Sequence, residues 1–317
     1  MSMRLFAVSL FSLCGMAASG QVLHSVAKLD SPVAIRSAVT CDQGAQVAGV
    51  GDDGAMYVWK LPSAAPRKIT VPDGHVEMVA CGGGNTLAAW LGEGKAQMLV
   101  LDMGSGEVRK HIHSDGFLWQ FALSPDGSLL AIATNTSPTQ LWDTHTGEKI
   151  AVGVTTMGSS NTAGFSPAGN MFVSGDADTV IRGYDRRGKL LFAADGGLLE
   201  PFDIAFTGDS KNFAVASAGG TVSLFEAASG KKLKTTISCG NPIFRLKMSP
   251  DSKQVMALEL DDFSFKPAAI GLWDMRSGEI KKNAIEASNV IGMGTDASHL
   301  LLIKLEGPKA VTVYAVQ

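Results

Sequence analysis

A tight-turn signal of four residues recurs seven times along the 317-residue chain, at intervals of 40 to 45 residues. These turns are CDQG at 41, CGGG at 81, SPDG at 124, SPAG at 166, TGDS at 207, SPDS at 249 and GTDA at 294. A second landmark recurs with nearly the same spacing, at Trp59, Leu101, Trp142, Tyr184, Phe225, Trp273 and Tyr314. Such self-similarity indicates one array of repeats rather than two separate domains.

Each repeat is built from short strands. In the third repeat, Ser128 to Thr134 and Thr139 to Asp143 are two apolar runs, separated by polar residues and followed by the turn DTHTG. Pro fixes φ at the second turn position, and Gly accepts positive φ. Short strands with turn signals at this spacing predict an all-β sandwich, barrel or propeller.

The repeat resembles that of the WD40-like β-propeller family over about residues 21 to 317. The motifs that carry the resemblance are Gly74-His75, Trp142-Asp143 and Trp273-Asp274. It implies one four-stranded antiparallel blade per repeat and therefore a seven-bladed β-propeller. The buried Asp-His-Ser-Trp network of strict family members cannot be assembled here, so we expect apolar packing to hold the blades together.

The last repeat ends after its third strand, AVTVYAVQ, and leaves an edge unpaired. Upstream of the first repeat, QVLHSVAKL is one strand more than that repeat needs. If residues 22 to 29 form the outermost strand of blade seven, no open edge remains. The sequence therefore predicts a ring closed by its N-terminal strand.

Residues 1 to 20 have the pattern of a Sec-type signal peptide. Arg4 supplies a positive start, Leu5 to Met16 an apolar core too short to span a bilayer, and AASG a cleavage site near Gly20. Cys14 leaves a lipoprotein signal as the alternative, although Leu13 stands before it where a small residue is expected. We expect a periplasmic or extracellular protein comprising residues 21 to 317.

Charge and length exclude several classes of partner. The net charge is −3, and no Lys/Arg block occurs, so nucleic acid and anionic membrane are not expected partners. No later segment is apolar for long enough to cross a membrane. We expect a monomer without a cofactor.

Three cysteines remain after residue 20, namely Cys41, Cys81 and Cys239. An odd number leaves at least one thiol unpaired or intermolecular in an oxidising compartment. Cys41 and Cys81 occupy the same corner of adjacent blades. Such corners are expected to lie farther apart than the roughly 4.4 to 6.8 Å that a disulfide allows between Cα atoms.

Several short motifs have simpler interpretations than the sites they resemble. GVGDDG at 49 to 54 matches a dinucleotide fingerprint but leads into the strand AMYVWK, so we interpret it as a hairpin. His111 and His113 are expected on a solvated outer strand, without a third metal ligand. Asp176 and Asp178 are expected in an exposed turn. No GxSxG or HExxH motif occurs.

Alternation along the innermost strands indicates which side chains face the axis. Residues four before each corner are mostly polar, whereas those one and three before are mostly apolar. Glu77, Asp203, Arg245 and Lys247 are therefore candidates for a polar, charge-balanced ligand pocket in the central channel. The alternative is that they only solvate a water-filled channel.

Blade six carries an insertion, LDDFSFKPAA, that places Phe263 and Phe265 in a long loop. Exposed aromatics on a rigid scaffold often anchor contacts. The alternative is that both rings fold back onto the blade. Trp119 lies five residues before a corner, in phase with the packing positions, and is expected in the core.

The sequence thus favours an exported, non-catalytic propeller that binds a protein or small ligand through one face of the ring. A secreted propeller enzyme of hydrolase or lactonase type, with polar residues at the channel mouth, is the alternative. Convergent carboxylate and His ligands at that mouth would favour the enzyme.

Overall fold

The structure is a computed structural model that describes residues 23–316, apart from 73, 93–95, 198, 238–240 and 262–265. Within these residues the chain forms seven four-stranded antiparallel sheets and no α-helix. The predicted all-β, seven-bladed β-propeller is confirmed. Residues 1–20, Cys239, Phe263 and Phe265 lie outside the described residues. No described helix is long and apolar enough to span a bilayer.

Six blades follow the chain in order from their innermost to their outermost strand. Blade one has β2 (Ile35–Cys41), β3 (Gln46–Gly51), β4 (Met56–Lys60) and β5 (Arg67–Ile69). Blade two has β6 (Met78–Cys81), β7 (Thr86–Trp90), β8 (Ala96–Asp102) and β9 (Val108–Ser114). Blade three has β10 (Leu118–Leu123), β11 (Leu129–Thr134), β12 (Gln140–Asp143) and β13 (Lys149–Val152).

The remaining blades repeat the pattern. Blade four has β14 (Ser160–Phe165), β15 (Met171–Asp176), β16 (Val180–Asp185) and β17 (Leu190–Asp195). Blade five has β18 (Pro201–Phe206), β19 (Asn212–Ser217), β20 (Thr221–Glu226) and β21 (Lys232–Ile237). Blade six has β22 (Ile243–Met248), β23 (Gln254–Leu260), β24 (Pro267–Asp274) and β25 (Ile280–Ile285). Blade seven has β26 (Val290–Thr295), β27 (Leu300–Gly307), β28 (Ala310–Val316) and β1 (Leu23–Asp30).

The N-terminal strand closes the ring, as predicted. β1 pairs antiparallel with β28, from Leu23 opposite Val316 to Asp30 opposite Ala310. The indole N–H of Trp59 in blade one donates to the Asp30 carbonyl at 2.9 Å. This bond connects the closing strand to the first complete blade, so backbone pairing and a side-chain bond both support closure.

Apolar side chains of adjacent blades form the core of the molecule. The described residues contain seven buried clusters, and each one combines side chains from two neighbouring blades. The cluster between blades seven and one, for example, includes Leu29, Trp59 and Val313. No blade buries both of its faces alone. Seven junctions for seven blades are what a closed ring requires.

A comparison of two buried tryptophans, Trp59 and Trp273, can measure what an indole hydrogen bond adds to stability beyond packing. Trp59 and Trp273 are 0% and 1% exposed, but among the described residues the Trp273 indole nitrogen has no hydrogen-bond partner. We expect Trp59→Phe to cost about 1 kcal/mol more unfolding free energy than Trp273→Phe, because only Trp59→Phe leaves a carbonyl without its donor. Denaturant unfolding of both variants measures this difference, and equal losses would contradict it.

The corners are stabilised by the residues that marked them in the sequence. In blade three, the Asp126 carboxylate accepts from the Ser128 backbone N–H at 3.1 Å, and Gly127 has φ +74°. Ser124 Oγ donates to the same carboxylate and accepts from the Leu129 N–H at 2.9 Å. Blades five and six repeat this arrangement around Asp209 and Asp251. These three corners are thus held by local bonds.

The expectation that Cys41 and Cys81 lie too far apart to pair is wrong. They form a disulfide, and their Cα atoms are 5.4 Å apart, within the range that a disulfide allows. Both cysteines end innermost strands, and innermost strands of adjacent blades approach each other near the axis. The bond therefore joins blade one to blade two beside the channel.

The antiparallel path of each blade gives the ring two different faces. On what we call the lower face, innermost strands end in the corners. On what we call the upper face, innermost strands begin, and the loops between second and third strands also lie there. The end of β23 at Leu260 and the start of β24 at Pro267 therefore lie on the upper face.

Candidate functional site

A cavity of about 430 Å³ lies on the axis of the ring, lined by the innermost strands of all seven blades. Its lining includes Asp203 of β18 and both Arg245 and Lys247 of β22. These are the charged side chains among the described lining residues. Three of the four residues proposed for the channel from alternation are thus brought together, and their role in binding remains a prediction.

Glu77, the fourth candidate, lies outside the lining of this cavity. Its carboxylate pairs with Arg36 of blade one, with 2.6 Å between Nη1 and Oε2. Both side chains are 36% exposed. Glu77 therefore ties blade two to blade one, and the charges in the cavity are one carboxylate and two cations.

Gln120 of β10 connects three blades within the channel. Its amide nitrogen donates to the Asp203 carboxylate of blade five at 2.9 Å. Its amide oxygen accepts from the Thr162 hydroxyl and from the Ala163 N–H, both in blade four. Gln120 belongs to the polar column that alternation identifies. Alternation alone gives no sign that its amide reaches a blade two positions away.

Asp203 is held by neutral donors rather than by a cation. Besides Gln120, the backbone N–H groups of Ile204 and Leu246 donate to its carboxylate at 2.9 and 2.8 Å. Asp203 is 6% exposed. Three N–H donors compensate a buried carboxylate well, so Asp203 serves chiefly to connect blades three, five and six.

Arg245 is held against an aromatic ring. Its guanidinium carbon lies 4.2 Å from the ring centre of Phe244, and Nη1 donates to the Phe244 carbonyl at 3.0 Å. Phe244 in turn meets Phe202 edge to face, with ring centres 6.1 Å apart. Burial lowers the pKa of the Arg245 guanidinium, and the Asp203 charge opposes that shift. The side chain is partly exposed and lines the cavity.

Bulges explain why some aromatic side chains lie elsewhere than alternation predicts. Six of the seven described innermost strands have a register irregularity in their pairing with the second strand. In β10 it lies between Leu118 and Gln120. One extra residue reverses the direction of the side chains before it. Trp119 occupies that irregularity and is 57% exposed, so its predicted place in the core is wrong.

Trp119 belongs to a group of exposed apolar side chains that we call the upper-face apolar sector. Its members lie where the chain enters blades three, four and five, and their exposed fractions range from 51% to 68%. They are Phe117, Trp119, Val154, Met157 and Leu199. The sector therefore spans three consecutive blades on one face of the ring.

A buried ion cluster contacts the loop that carries Val154 and Met157 of this sector. Arg182 donates to Asp176 at 2.6 Å and forms two bonds with Asp178, at 2.9 and 2.8 Å. Asp176 is 1% exposed and Arg182 6% exposed, so the prediction of an exposed aspartate pair is wrong. The reason is that Arg182 of β16 bonds both aspartates and covers them. The spacing of the two aspartates in the sequence gives no sign of this contact.

The same cluster fixes the loop between blades three and four. Asp178 accepts from the Thr155 hydroxyl at 3.1 Å, and from the N–H and hydroxyl of Thr156 at 3.0 and 2.8 Å. Burial raises the pKa of Asp176. Burial also acts to raise the pKa of Asp178, but the bonds from Arg182 and Thr156 outweigh it and hold that pKa below its usual value.

The sequence matches no protein-family model and no curated protein. The functional interpretation therefore rests on the residues and their geometry.

Other motifs occupy the positions that their simpler interpretations predict. GVGDDG forms the hairpin between β3 and β4, with Gly54 at φ +73°. His111 and His113 are both exposed on the outermost strand β9. Across the described part of the chain, no three His, Cys, Asp or Glu side chains form a group that could hold a metal ion.

Proposed function

We propose that this protein is an exported, non-catalytic, WD40-like propeller that recognises a partner protein through its upper face. The observation that carries the proposal is the upper-face apolar sector, with Phe117 and Trp119 each 57% exposed. Large apolar side chains grouped on one face of a monomer mark interaction sites. Aromatic residues, above all Trp, are the commonest anchors of such contacts.

The sector is held in place before any partner arrives. The Phe117 N–H donates to the Asn135 side chain at 2.9 Å, and the Asn135 N–H donates to the Phe117 carbonyl at 3.0 Å. Asp178 fixes the loop that carries Val154 and Met157. A surface that is already ordered loses less conformational entropy on binding. The geometry therefore favours recognition by a preformed face.

Export is proposed from residues 1 to 20 and the predicted cleavage near Gly20. The disulfide between Cys41 and Cys81 supports this, since such bonds persist in the periplasm and outside cells and are rare in the cytosol. The mass of the mature protein, with and without reduction, tests both points. A chain that retains residues 1 to 20, or two free thiols at Cys41 and Cys81, would contradict the proposal.

Binding is preferred over the alternative of a hydrolase or lactonase. An enzyme of that kind needs a carboxylate free to accept or donate a proton in the channel. Asp203, the carboxylate lining the cavity, already accepts three N–H groups from blades three, five and six. That arrangement supports a structural role for Asp203 rather than a catalytic one.

The recognition surface is tested with one paired variant. We expect Phe117→Ser combined with Trp119→Ser to weaken binding of the partner by about tenfold or more, because exposed aromatic anchors each contribute more than about 1 kcal/mol. Partner proteins are captured on the mature chain from its native envelope or culture fluid and identified. The dissociation constant is then measured with the purified partner.

Leu233→Ser is the matched control, because Leu233 is 48% exposed on the outermost strand β21 and outside the sector. The control should bind as well as the unaltered protein. If all three proteins bind the partner equally, or if the control loses binding as well, recognition does not depend on this face.

A further inference from the structure

The charges in the axial cavity are unbalanced. Asp203, Arg245 and Lys247 all line it, but the Asp203 carboxylate is occupied by the N–H groups of Gln120, Ile204 and Leu246. Within the described residues, neither Arg245 nor Lys247 forms an ion pair with a carboxylate. Two cations therefore face the cavity without forming an ion pair among the described residues.

Arg245 presents its guanidinium in a restrained orientation. One face of the group rests on the Phe244 ring, and one nitrogen is used by the Phe244 carbonyl. The guanidinium has five N–H groups in a planar fork that matches the two oxygens of a carboxylate or phosphate. A stacked guanidinium loses little rotational freedom when it binds an oxyanion, so the arrangement favours that ligand chemistry.

Lys247 lies two residues further along β22 and therefore projects on the same side of the strand. The equivalent lining positions of other blades are small or apolar, namely Val39, Val79, Ala122, Gly164 and Ala205. Lys247 is thus the sole ionisable side chain in its layer of the described lining. Its ammonium can extend over these small residues toward a ligand on the axis.

The dimensions and lining of the cavity limit the ligand further. Its volume of about 430 Å³ falls in the range of small-molecule sites. Apart from the charged groups, Gln120, Thr40 and Thr295, the described lining consists of apolar residues, among them Phe121, Phe165 and Met293. Such a lining suits a compact apolar or aromatic body attached to the anionic group.

We propose that the axial channel is a binding site for a small organic anion, in which a carboxylate or phosphate group lies between Arg245 and Lys247. The apolar body of the ligand contacts the innermost strands of the opposite blades. This site is separate from the upper-face apolar sector, so either one can fail without the other.

Matched aromatic probes test the proposal on the mature protein. Benzoate and phenyl phosphate carry the anionic group, inorganic phosphate lacks the apolar body, and benzamide is the neutral counterpart of benzoate. Titration calorimetry or ligand-observed NMR measures each dissociation constant. We expect benzoate or phenyl phosphate to bind at least about tenfold more tightly than benzamide, because a charge-assisted hydrogen bond is about twice as strong as a neutral one.

Arg245→Met and Lys247→Met should each weaken binding of the anionic probe about tenfold or more. Arg245→Lys keeps the charge without the planar fork and should weaken binding less than Arg245→Met does. Lys211→Met is the control, because Lys211 is 79% exposed on a lower-face corner. Thermal unfolding of each variant establishes that it is folded before it is titrated.

Three results would overturn the proposal. The first is that benzamide binds as tightly as benzoate, and the second is that the folded Arg245→Met and Lys247→Met variants keep full affinity. The third is that no anionic probe binds at concentrations up to about 10 mM, which corresponds to a binding free energy weaker than about −3 kcal/mol. None of these results bears on partner binding by Phe117 and Trp119.

Discussion

Replacing Leu29 with alanine is expected to lower the free energy of unfolding by about 2 to 5 kcal/mol. Leu29 is 1% exposed and packs in the cluster between blades seven and one. It belongs to β1, the strand that closes the ring against β28. The variant loses apolar burial and leaves a cavity at the junction between blades seven and one. Denaturant unfolding of the mature protein measures the loss.

Val26→Ala is the matched control on the same strand. Val26 is 46% exposed, so its loss should change the free energy of unfolding by no more than about 0.5 kcal/mol. Similar small effects for both variants would mean that the closing junction contributes little to stability. Such a result would contradict the role of β1 in the ring.

Replacing Arg182 with methionine is expected to cost about 3 to 5 kcal/mol of unfolding free energy. The change keeps an apolar side chain of comparable length but leaves Asp176 and Asp178 without their cation. Asp176 is 1% exposed, so a buried carboxylate is left without its cation. The loss is measured by denaturant unfolding near neutral pH. A second effect is expected at the loop of Thr155 and Thr156, which Asp178 holds.

The cost of Arg182→Met should depend on pH with a defined sign. Burial already raises the pKa of Asp176, and loss of the guanidinium raises the pKa of this carboxyl further above its unfolded value in the folded variant. The folded variant then binds protons more readily than its unfolded chain, so its stability is recovered as the pH falls. The deficit relative to the unaltered protein should therefore be smaller at about pH 5 than at about pH 8.

Arg186→Met is the control for this prediction. Arg186 also bonds an aspartate, Asp126 of the neighbouring blade at 2.8 Å, but the two side chains are 40% and 51% exposed. Removal of such a surface pair should cost no more than about 1 kcal/mol and show little dependence on pH in this range. Equal costs for the two variants would show that burial of the Arg182 pair has no special weight.

Much of the fold is predictable from the sequence because corner formation is local. At Asp126, and again at Asp209 and Asp251, the carboxylate that marks the turn also accepts from the backbone N–H two residues on. The spacing of these turns then predicts the number of blades. The surplus strand before residue 31 and the missing strand after Tyr314 predict the closure that β1 and β28 form.

The candidate site is predictable only in part. Alternation correctly places Asp203, Arg245 and Lys247 toward the axis, because the register from each corner back to these positions is uninterrupted. Beyond the bulge in β10 the phase is reversed, so Trp119 is exposed rather than buried. A bulge of this kind has no single residue type as its signal, and alternation has no means of detecting it.

The repeat length, the turn residues and the alternating strands determined seven repeats of short strands and a surplus N-terminal strand, and the resemblance to the WD40-like repeat implied one four-stranded blade for each repeat. These features depend on interactions between residues close in sequence, or on hydrophobic surfaces that each blade must cover. Only the tertiary structure decided that Cys41 meets Cys81, that Gln120 reaches Asp203, and that Arg182 covers two aspartates. Such contacts depend on the distance between neighbouring blades near the axis and on the direction of each side chain after a bulge. Both quantities arise only when all seven blades pack around one axis.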